Sequence, residues 1–339
     1  MASLHEVFAP AFEIGVSLGG MLPDDYAPEE LALITEQFSV VTPENCMKPE
    51  SIQPREGEFT FAQADALLAF AEAHGKRATG HCLVWHQQCP EWFFRDGDGP
   101  AGRALVLQRM RAHIHTLVGR YRGRIFGWDV VNEAVDDGEA ELRDTPWLRQ
   151  VGEDFLAQAF HFAREADPDV QLYYNDYSIE MPVKRAKTLR LLAGLREAGA
   201  HVDAVGIQGH WVLDQVPFAE LDEAIDLFAQ TGVKVMITEL DLSMLPWDEA
   251  AGDPYVDGCP PELLERQAEQ YAELFRIFLR HRQVITRVAF WNPHDGRSWL
   301  NAFPYPRTNY PLLFDRQCRP KPAYAAVMAT WERRHPAGA

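Results

Sequence analysis

Two glutamates stand at the ends of two apolar runs, and that pairing is able to do chemistry. Trp128-Asp129-Val130-Val131-Asn132-Glu133 follows Gly123-Arg124-Ile125-Phe126-Gly127, and Gly232-Val233-Lys234-Val235-Met236-Ile237-Thr238 runs into Glu239-Leu240-Asp241-Leu242. Each run is short and rich in β-branched and apolar residues, with glycine before it, which is the pattern of a buried strand. Asp136-Asp137-Gly138 supplies turn chemistry after Glu133. A carboxylate at the end of an apolar strand is costly to place there for stability alone. In a barrel of parallel strands, that end carries the reactive groups. Two carboxylates facing each other across a cleft are the minimal equipment for cleaving a glycosidic bond.

Such a pair needs a scaffold that gathers strand ends, and the rest of the chain has its rhythm. Strands are expected at 12–16, 38–41, 77–83, 123–133, 170–174, 202–207, 232–239 and 284–290. Helices are expected at 28–37, 61–74, 103–121, 147–166, 183–198, 218–230, 261–282 and 322–333. Within 103–121, Leu105, Met110, Ile114, Leu117 and Val118 recur at helical spacing. Strict alternation of strand and helix predicts an α/β fold, the (β/α)8 TIM barrel, as a single domain over 1–339. A doubly wound open sheet usually has fewer strands, and no glycine-rich phosphate loop is found here. The stretch 243–261 carries Pro, Gly and Asp and reads as an inserted loop.

A length of 339 residues with 47% hydrophobic residues is ample for one large core. The formal net charge of −18 argues against nucleic acid and anionic membranes as partners, and suits a neutral sugar better than a polyanion. The five cysteines, Cys46, Cys82, Cys89, Cys259 and Cys318, are odd in number and lack Cys-x-x-Cys spacing. Free thiols in a reducing compartment are expected rather than disulfides or a zinc site. No apolar run reaches the roughly eighteen residues of a membrane span. Met1-Ala2-Ser3-Leu4-His5-Glu6 has no basic or long apolar segment, so no signal peptide and a cytoplasmic location are expected.

The expected strand ends carry Glu44, Asn45, His81, Trp85, His86, Asn132, Glu133, Asn175, Tyr177, Gln208, His210, Glu239, Asp241, Trp291 and Trp299. Sugars need this mixture: amides and carboxylates for hydroxyls, and flat aromatic surfaces for the apolar ring faces. Taken singly, each has a bland reading, such as a satisfied core histidine, a core tryptophan or a solvated turn acid. Taken together they have no common structural reason to collect at strand ends. A metal-dependent hydrolase using His81, His86, His210 and Asp241 is the rival. Its usual His-x-His on the first strand is missing, where Ser17-Leu18-Gly19 stands instead. A catalytically silent sugar-binding barrel is a second rival, and the presence of both carboxylates speaks against it. No metal and no organic cofactor is expected.

Trp128 to Glu133 and Ile237-Thr238-Glu239-Leu240-Asp241 resemble the acid/base and nucleophile motifs of glycoside hydrolase family 10, the endo-β-1,4-xylanases. So do Thr42-Pro43-Glu44-Asn45-Cys46-Met47-Lys48, Gly80-His81-Cys82-Leu83-Val84-Trp85-His86, Tyr174-Asn175-Asp176-Tyr177, Gly206-Ile207-Gln208-Gly209-His210 and Pro311-Leu312-Leu313-Phe314-Asp315. These motifs span nearly the whole chain in the right order.

The resemblance implies a retaining hydrolase of xylan or xylo-oligosaccharides, with Glu239 as nucleophile and Glu133 as acid/base. It implies that Asp241 orients His210, which holds Glu239 charged, and that Asn132 bonds the sugar 2-hydroxyl. His81 and Gln208 would support the cleavage point and Trp85 would floor it. His86 joins the substrate-binding set. Glu44, Asn45 and Lys48 would grip the next sugar on the non-reducing side, with Trp291 and Trp299 closing over it. Gln88 and Trp299 would fill the space a glucose hydroxymethyl needs. Asn175 and Tyr177 would line the leaving-group side. The resemblance breaks after Trp291, where the family commonly has Gly and this chain has Asn292-Pro293-His294-Asp295-Gly296-Arg297-Ser298-Trp299. The departure bears on substrate fit rather than on the chemistry.

Overall fold

A barrel strand has side chains packed on both faces, so its sequence is apolar almost throughout. The structure, a computed structural model, describes residues 3–248 and 252–332. Eight strands of this kind close into a barrel: β1 Glu13–Leu18, β2 Val40–Pro43, β3 Arg77–Val84, β4 Ile125–Asn132, β5 Gln171–Asp176, β6 Ala204–Ile207, β7 Lys234–Ser243 and β8 Ile285–Phe290. Each pairs in parallel with the next, and β8 returns to β1 with Glu13 opposite Arg287 and Val16 opposite Phe290. The helices between and after them are α1 Pro28–Gln37, α2 Ala62–Ala73, α3 Arg103–Arg120, α4 Phe155–Ala166, α5 Pro182–Glu197, α6 Phe218–Gln230, α7 Pro261–Arg280 and α8 Pro322–Glu332.

Local sequence explains these boundaries. Proline opens α1, α5 and α7, where its missing N–H has no intrahelical partner to lose. Helix α3 buries Val106, Met110, Ile114, Leu117 and Val118 at three- and four-residue spacing. The main core lies between the strands and the helix ring, while Tyr173, Ala204 and Met236 form a small separate cluster on β5, β6 and β7.

Several expectations need correction. The single helix expected over 147–166 is two helices, Pro146–Val151 and α4, separated where Gly152 takes φ 96°. A short helix, Leu4–Phe8, precedes β1, and Phe8 packs against Phe275 of α7 with centroids 5.0 Å apart. Strand β7 does not end at Glu239 but runs on to Ser243. Its register against β8 shifts between Ile237 and Leu240, so Glu239 sits in an irregularity. Beyond it, β7 pairs with a three-residue strand, His210–Val212, that places Asp241 opposite His210. The last residue of the expected C-terminal helix, 333, and the centre of the expected inserted loop, 249–251, lie outside the described residues. Among the described residues no helix is long and apolar enough to cross a membrane.

One glycine is required by close approach. A Cβ on Gly206 of β6 would fall 2.3 Å from Asn175 Oδ1 and 2.7 Å from Thr238 Cγ2. Both atoms belong to the neighbouring strands β5 and β7. Gly206→Ala should therefore destabilise the fold by about 1–3 kcal/mol through overpacking. Gly119→Ala, on α3 with nothing within 4 Å of the added carbon, should instead stabilise it by roughly 0.5–1 kcal/mol. Urea denaturation of the two variants beside wild type checks the opposite signs; equal shifts would remove the packing argument.

Candidate active site

The ends of β4 to β7 bring two buried carboxylates together and give them different partners. Glu239 is 5% exposed. Asn175 Nδ2, from β5, donates to its Oε1 at 2.7 Å, and His210 Nε2 lies 3.1 Å from its Oε2. The other ring nitrogen of His210 lies 2.9 Å from Asp241 Oδ2, in the register set by the short strand beside β7. Burial disfavours a charged His210, but Asp241 and Glu239 outweigh it and raise its pKa to about 10. Burial likewise pushes the Glu239 carboxyl up. The bond from His210, the fields of His81 and His210, and the bond from Asn175 prevail and hold it below the ordinary carboxylate value. The pair is thus an imidazolium beside a carboxylate, with Asp241 behind.

Glu133 lies just past β4 and is 9% exposed. It has φ 55°, a left-handed conformation that few non-glycine residues adopt. Its partners are neutral donors: Trp85 Nε1 to Oε2 and Gln208 Nε2 to Oε1, both at 2.8 Å. Trp85 is itself anchored, because Trp147 Nε1 donates to its carbonyl at 2.9 Å. One carboxyl is therefore held by a cation and the other by an indole and an amide.

Around this pair stand the remaining candidates. Asn132 Oδ1 accepts from Asn175 Nδ2 at 2.9 Å, which leaves the Asn132 amide nitrogen as an unspent donor. His81 Nδ1 lies 2.9 Å from Asp129 Oδ2, and Trp291 packs edge-on against His81 at 5.3 Å. Trp299 donates its indole N–H to Asp241 Oδ2 at 2.8 Å and lies 4.9 Å from the His210 ring. Past β2, Asn292 Nδ2 donates to Glu44 Oε2 at 3.0 Å. Lys48 Nζ donates to Asn45 Oδ1 at 3.0 Å and sits 4.9 Å from the Trp85 ring centroid. Gln88 holds a left-handed backbone at φ 43°. Tyr177 accepts from Arg143 at 2.8 Å, donates to Asp137 and carries Lys184 Nζ 3.5 Å above its ring. His86 is half-buried; burial first, then Arg143 and Lys184, lower its pKa to about 4.

One candidate is misplaced by sequence reasoning. Asn175 has no exposed surface, and its amide is fully engaged by Asn132, Glu239 and the hydroxyl of Thr238, which donates at 2.6 Å. It has no capacity left for a leaving group and instead positions the Glu239 carboxylate. Three contributors were missed: Asp129 behind His81, Thr238 behind Asn175, and Asn292 beside Glu44. Asp129 and Thr238 carried a signal, since Asp129 is a charged residue between apolar neighbours and Thr238 is a polar residue in an otherwise apolar strand run ahead of Glu239. Two of the three histidines that the metal-site rival needs are turned to carboxylates, His81 to Asp129 and His210 to Asp241 and Glu239. Among the described residues, no group of three or more His, Cys, Asp or Glu is arranged to hold a metal ion.

Comparison with known proteins bears on this geometry. The sequence pattern of Glycosyl hydrolase family 10 matches residues 3–330. The chain is 43% identical to an endo-1,4-beta-xylanase of Geobacillus stearothermophilus, over 96% of this chain and 98% of that one. It superposes with a TM-score of 0.93 on a GH10 endoxylanase retrieved from a sugarcane soil metagenome, at 39% identity and covering 98% of this chain and 100% of that one. A mutant structure in complex with xylotriose superposes with a TM-score of 0.90 at 39% identity, covering 97% and 99% of the two chains.

The electrostatics give a direct prediction. With its pKa raised to about 10, His210 should stay protonated on both nitrogens through neutral pH. His86, lowered to about 4, should stay neutral there. Because the His210 value lies above its unfolded one, its contribution to stability is complete below the unfolded pKa and is lost as pH rises through the folded one. Nitrogen-15 NMR of the imidazoles across a pH series reads both directly; a His210 ring that loses its proton near pH 6.5 would contradict the pairing with Asp241 and Glu239.

Proposed function

The chain belongs to glycosyl hydrolase family 10, and from that premise we propose that it is a retaining endo-1,4-β-xylanase with Glu239 as nucleophile and Glu133 as general acid/base. The observation that carries the two roles is the difference in partners. Glu239 is kept ionised by His210, with Asp241 behind it. Glu133 is held instead by two neutral donors, an indole and an amide.

In the first step Glu239 attacks the anomeric carbon and the bond to the departing oxygen breaks. Glu133 delivers its proton to that oxygen, so the leaving sugar departs as a neutral alcohol. The result is a glycosyl ester on Glu239. Glu133, now ionised, takes a proton from water as the water oxygen attacks the same carbon. Glu239 leaves as carboxylate and Glu133 is protonated again. Two inversions give net retention of the β configuration. The unspent Asn132 amide is the donor for the 2-hydroxyl as charge develops at the neighbouring carbon. The Asn175 amide, locked by Thr238, keeps Glu239 from swinging away.

The substrate is a β-1,4-linked xylose chain. Trp85 floors the cleavage site, with His81 beside it. Glu44, Asn45 and Lys48 take the next sugar on the non-reducing side under Trp291 and Trp299. Gln88 and Trp299 occupy the space of a hydroxymethyl group, and Tyr177 and His86 face the leaving-group side. The xylotriose bound by the related mutant enzyme supports an oligosaccharide ligand. The cysteines are all free thiols, which supports action in a reducing cytoplasm on soluble xylo-oligosaccharides rather than on insoluble xylan. Cell fractionation of the native host, with activity compared on both substrates, tests this placement; enzyme in the medium and rapid attack on insoluble xylan would reject it.

Two substitutions test the catalytic roles. Glu239→Ala should abolish hydrolysis, and azide should restore part of the turnover with a glycosyl azide of inverted configuration. Glu133→Ala should slow cleavage of unactivated xylosidic bonds by about 10²–10⁴-fold. It should still form the glycosyl-enzyme quickly from an aryl substrate with a good leaving group, visible as a burst. A burst-free, equal loss on both substrate types would remove Glu133 from its role, and a first product of α configuration would overturn the retaining mechanism.

A further inference from the structure

Asn292 stands where the family resemblance leads one to expect glycine, and its backbone keeps a glycine-like shape. Its φ is 93°, a region that glycine adopts freely and asparagine rarely. Pro293 follows it, and a residue before proline ordinarily prefers an extended backbone. A side chain retained in such a place needs something to hold it, and this one bonds at its backbone N–H and at both ends of its amide.

The residue is 2% exposed. Its N–H donates to Ser17 Oγ of β1 at 2.9 Å, its Nδ2 donates to Glu44 Oε2 at 3.0 Å, and its Oδ1 accepts from the backbone N–H of Trp299 at 3.0 Å. One amide therefore ties together two walls of the cleft. Glu44 is also confined from behind, since a Cβ on Gly19 would lie 2.6 Å from its Oε2. That oxygen is spent on Asn292, which fixes the direction in which Glu44 Oε1 points. On the other wall, the Trp299 backbone is pinned by Asn292 while its indole is pinned by Asp241 Oδ2 at 2.8 Å. Trp299 thus has one anchor at the catalytic network and one at the Glu44 site.

Resting on the xylanase reading above, we propose that Asn292 is a positioning residue that sets specificity, holding Glu44 and Trp299, which grip and cover the second sugar on the non-reducing side, in one arrangement. A sugar gripped by Glu44 presses on a carboxylate whose other oxygen is bonded to the residue that seats Trp299. The grip of Glu44 on the second sugar and its cover by Trp299 then favour one another, which directs the enzyme to chains and away from single-sugar glycosides.

Asn292→Gly tests this without asking the backbone to change shape, because glycine accepts the observed φ. Two aryl substrates separate the sites: an aryl β-xyloside fills the cleavage site alone, and an aryl β-xylobioside fills both. The expected result is a loss of roughly tenfold in kcat/KM on the xylobioside, carried mainly by KM, with the xyloside nearly unchanged. In a Glu44→Ala background the same substitution should have a clearly smaller further effect on the xylobioside, since one of the two bonds it removes is already gone. Equal losses on both substrates, or full additivity with Glu44→Ala, would overturn the inference and leave the xylanase reading standing. A wild-type enzyme that turned over neither substrate, nor xylan, would overturn both. Melting curves of each variant confirm that the comparison is between folded proteins.

Discussion

A carboxylate taken out of water tends to regain its proton, and the site rests on preventing this at one glutamate. Glu239 stays ionised because an imidazolium lies 3.1 Å away and Asp241 stands on the far side of that ring. Each charge in this chain would be expensive if buried alone. Together they sustain one another, so removing any member exposes the other two to the full cost of desolvation. The reaction changes this balance in a useful direction. In the proposed reaction Glu239 becomes an ester and loses its charge, so the field on the opposite carboxyl changes at the moment that carboxyl turns from acid to base.

The barrel converts this local requirement into a geometric one. Asn132, Asn175 and Gly206 lie side by side across β4, β5 and β6, in register. The first two exchange a hydrogen bond, and the third has no side chain because Asn175 and Thr238 already fill the space. Precision at the nucleophile comes from strands paired along their length, not from loops. The loops after β8 and β2 supply the second layer, where Asn292 and Glu44 meet. That division suits a fold in which chemistry is constant and fit is adjustable.

Much of this was legible in the sequence. The alternation of apolar runs and amphipathic stretches carries the barrel, because strand and helix periods differ and glycine and proline mark the ends. Glu133 and Glu239 were legible because an acid at the edge of an apolar run has no structural motive. What escaped was tertiary. The strand carrying Glu239 reads as ending there because charge interrupts the apolar run, yet its backbone continues to Ser243 and finds a partner in His210–Val212. Asn175 reads as a sugar ligand because amides at strand ends usually are, and the four-way crowding that consumes its bonds involves residues 43 to 64 positions away. Asn292 stood out as a departure from the family pattern, but its bond to Glu44 spans 248 positions and left no local trace.

The indole of Trp85 joins two tasks in one rigid plate. Its edge N–H grips the Glu133 carboxyl, and in the proposed reaction its face is the floor on which a sugar rests while that carboxyl aims a proton. The plate has two torsions, and its backbone carbonyl is held by Trp147. In that reading, seating the sugar and aiming the proton depend on the same side chain. Fidelity towards the shape of the sugar is in this way a mechanical by-product of how the acid is held.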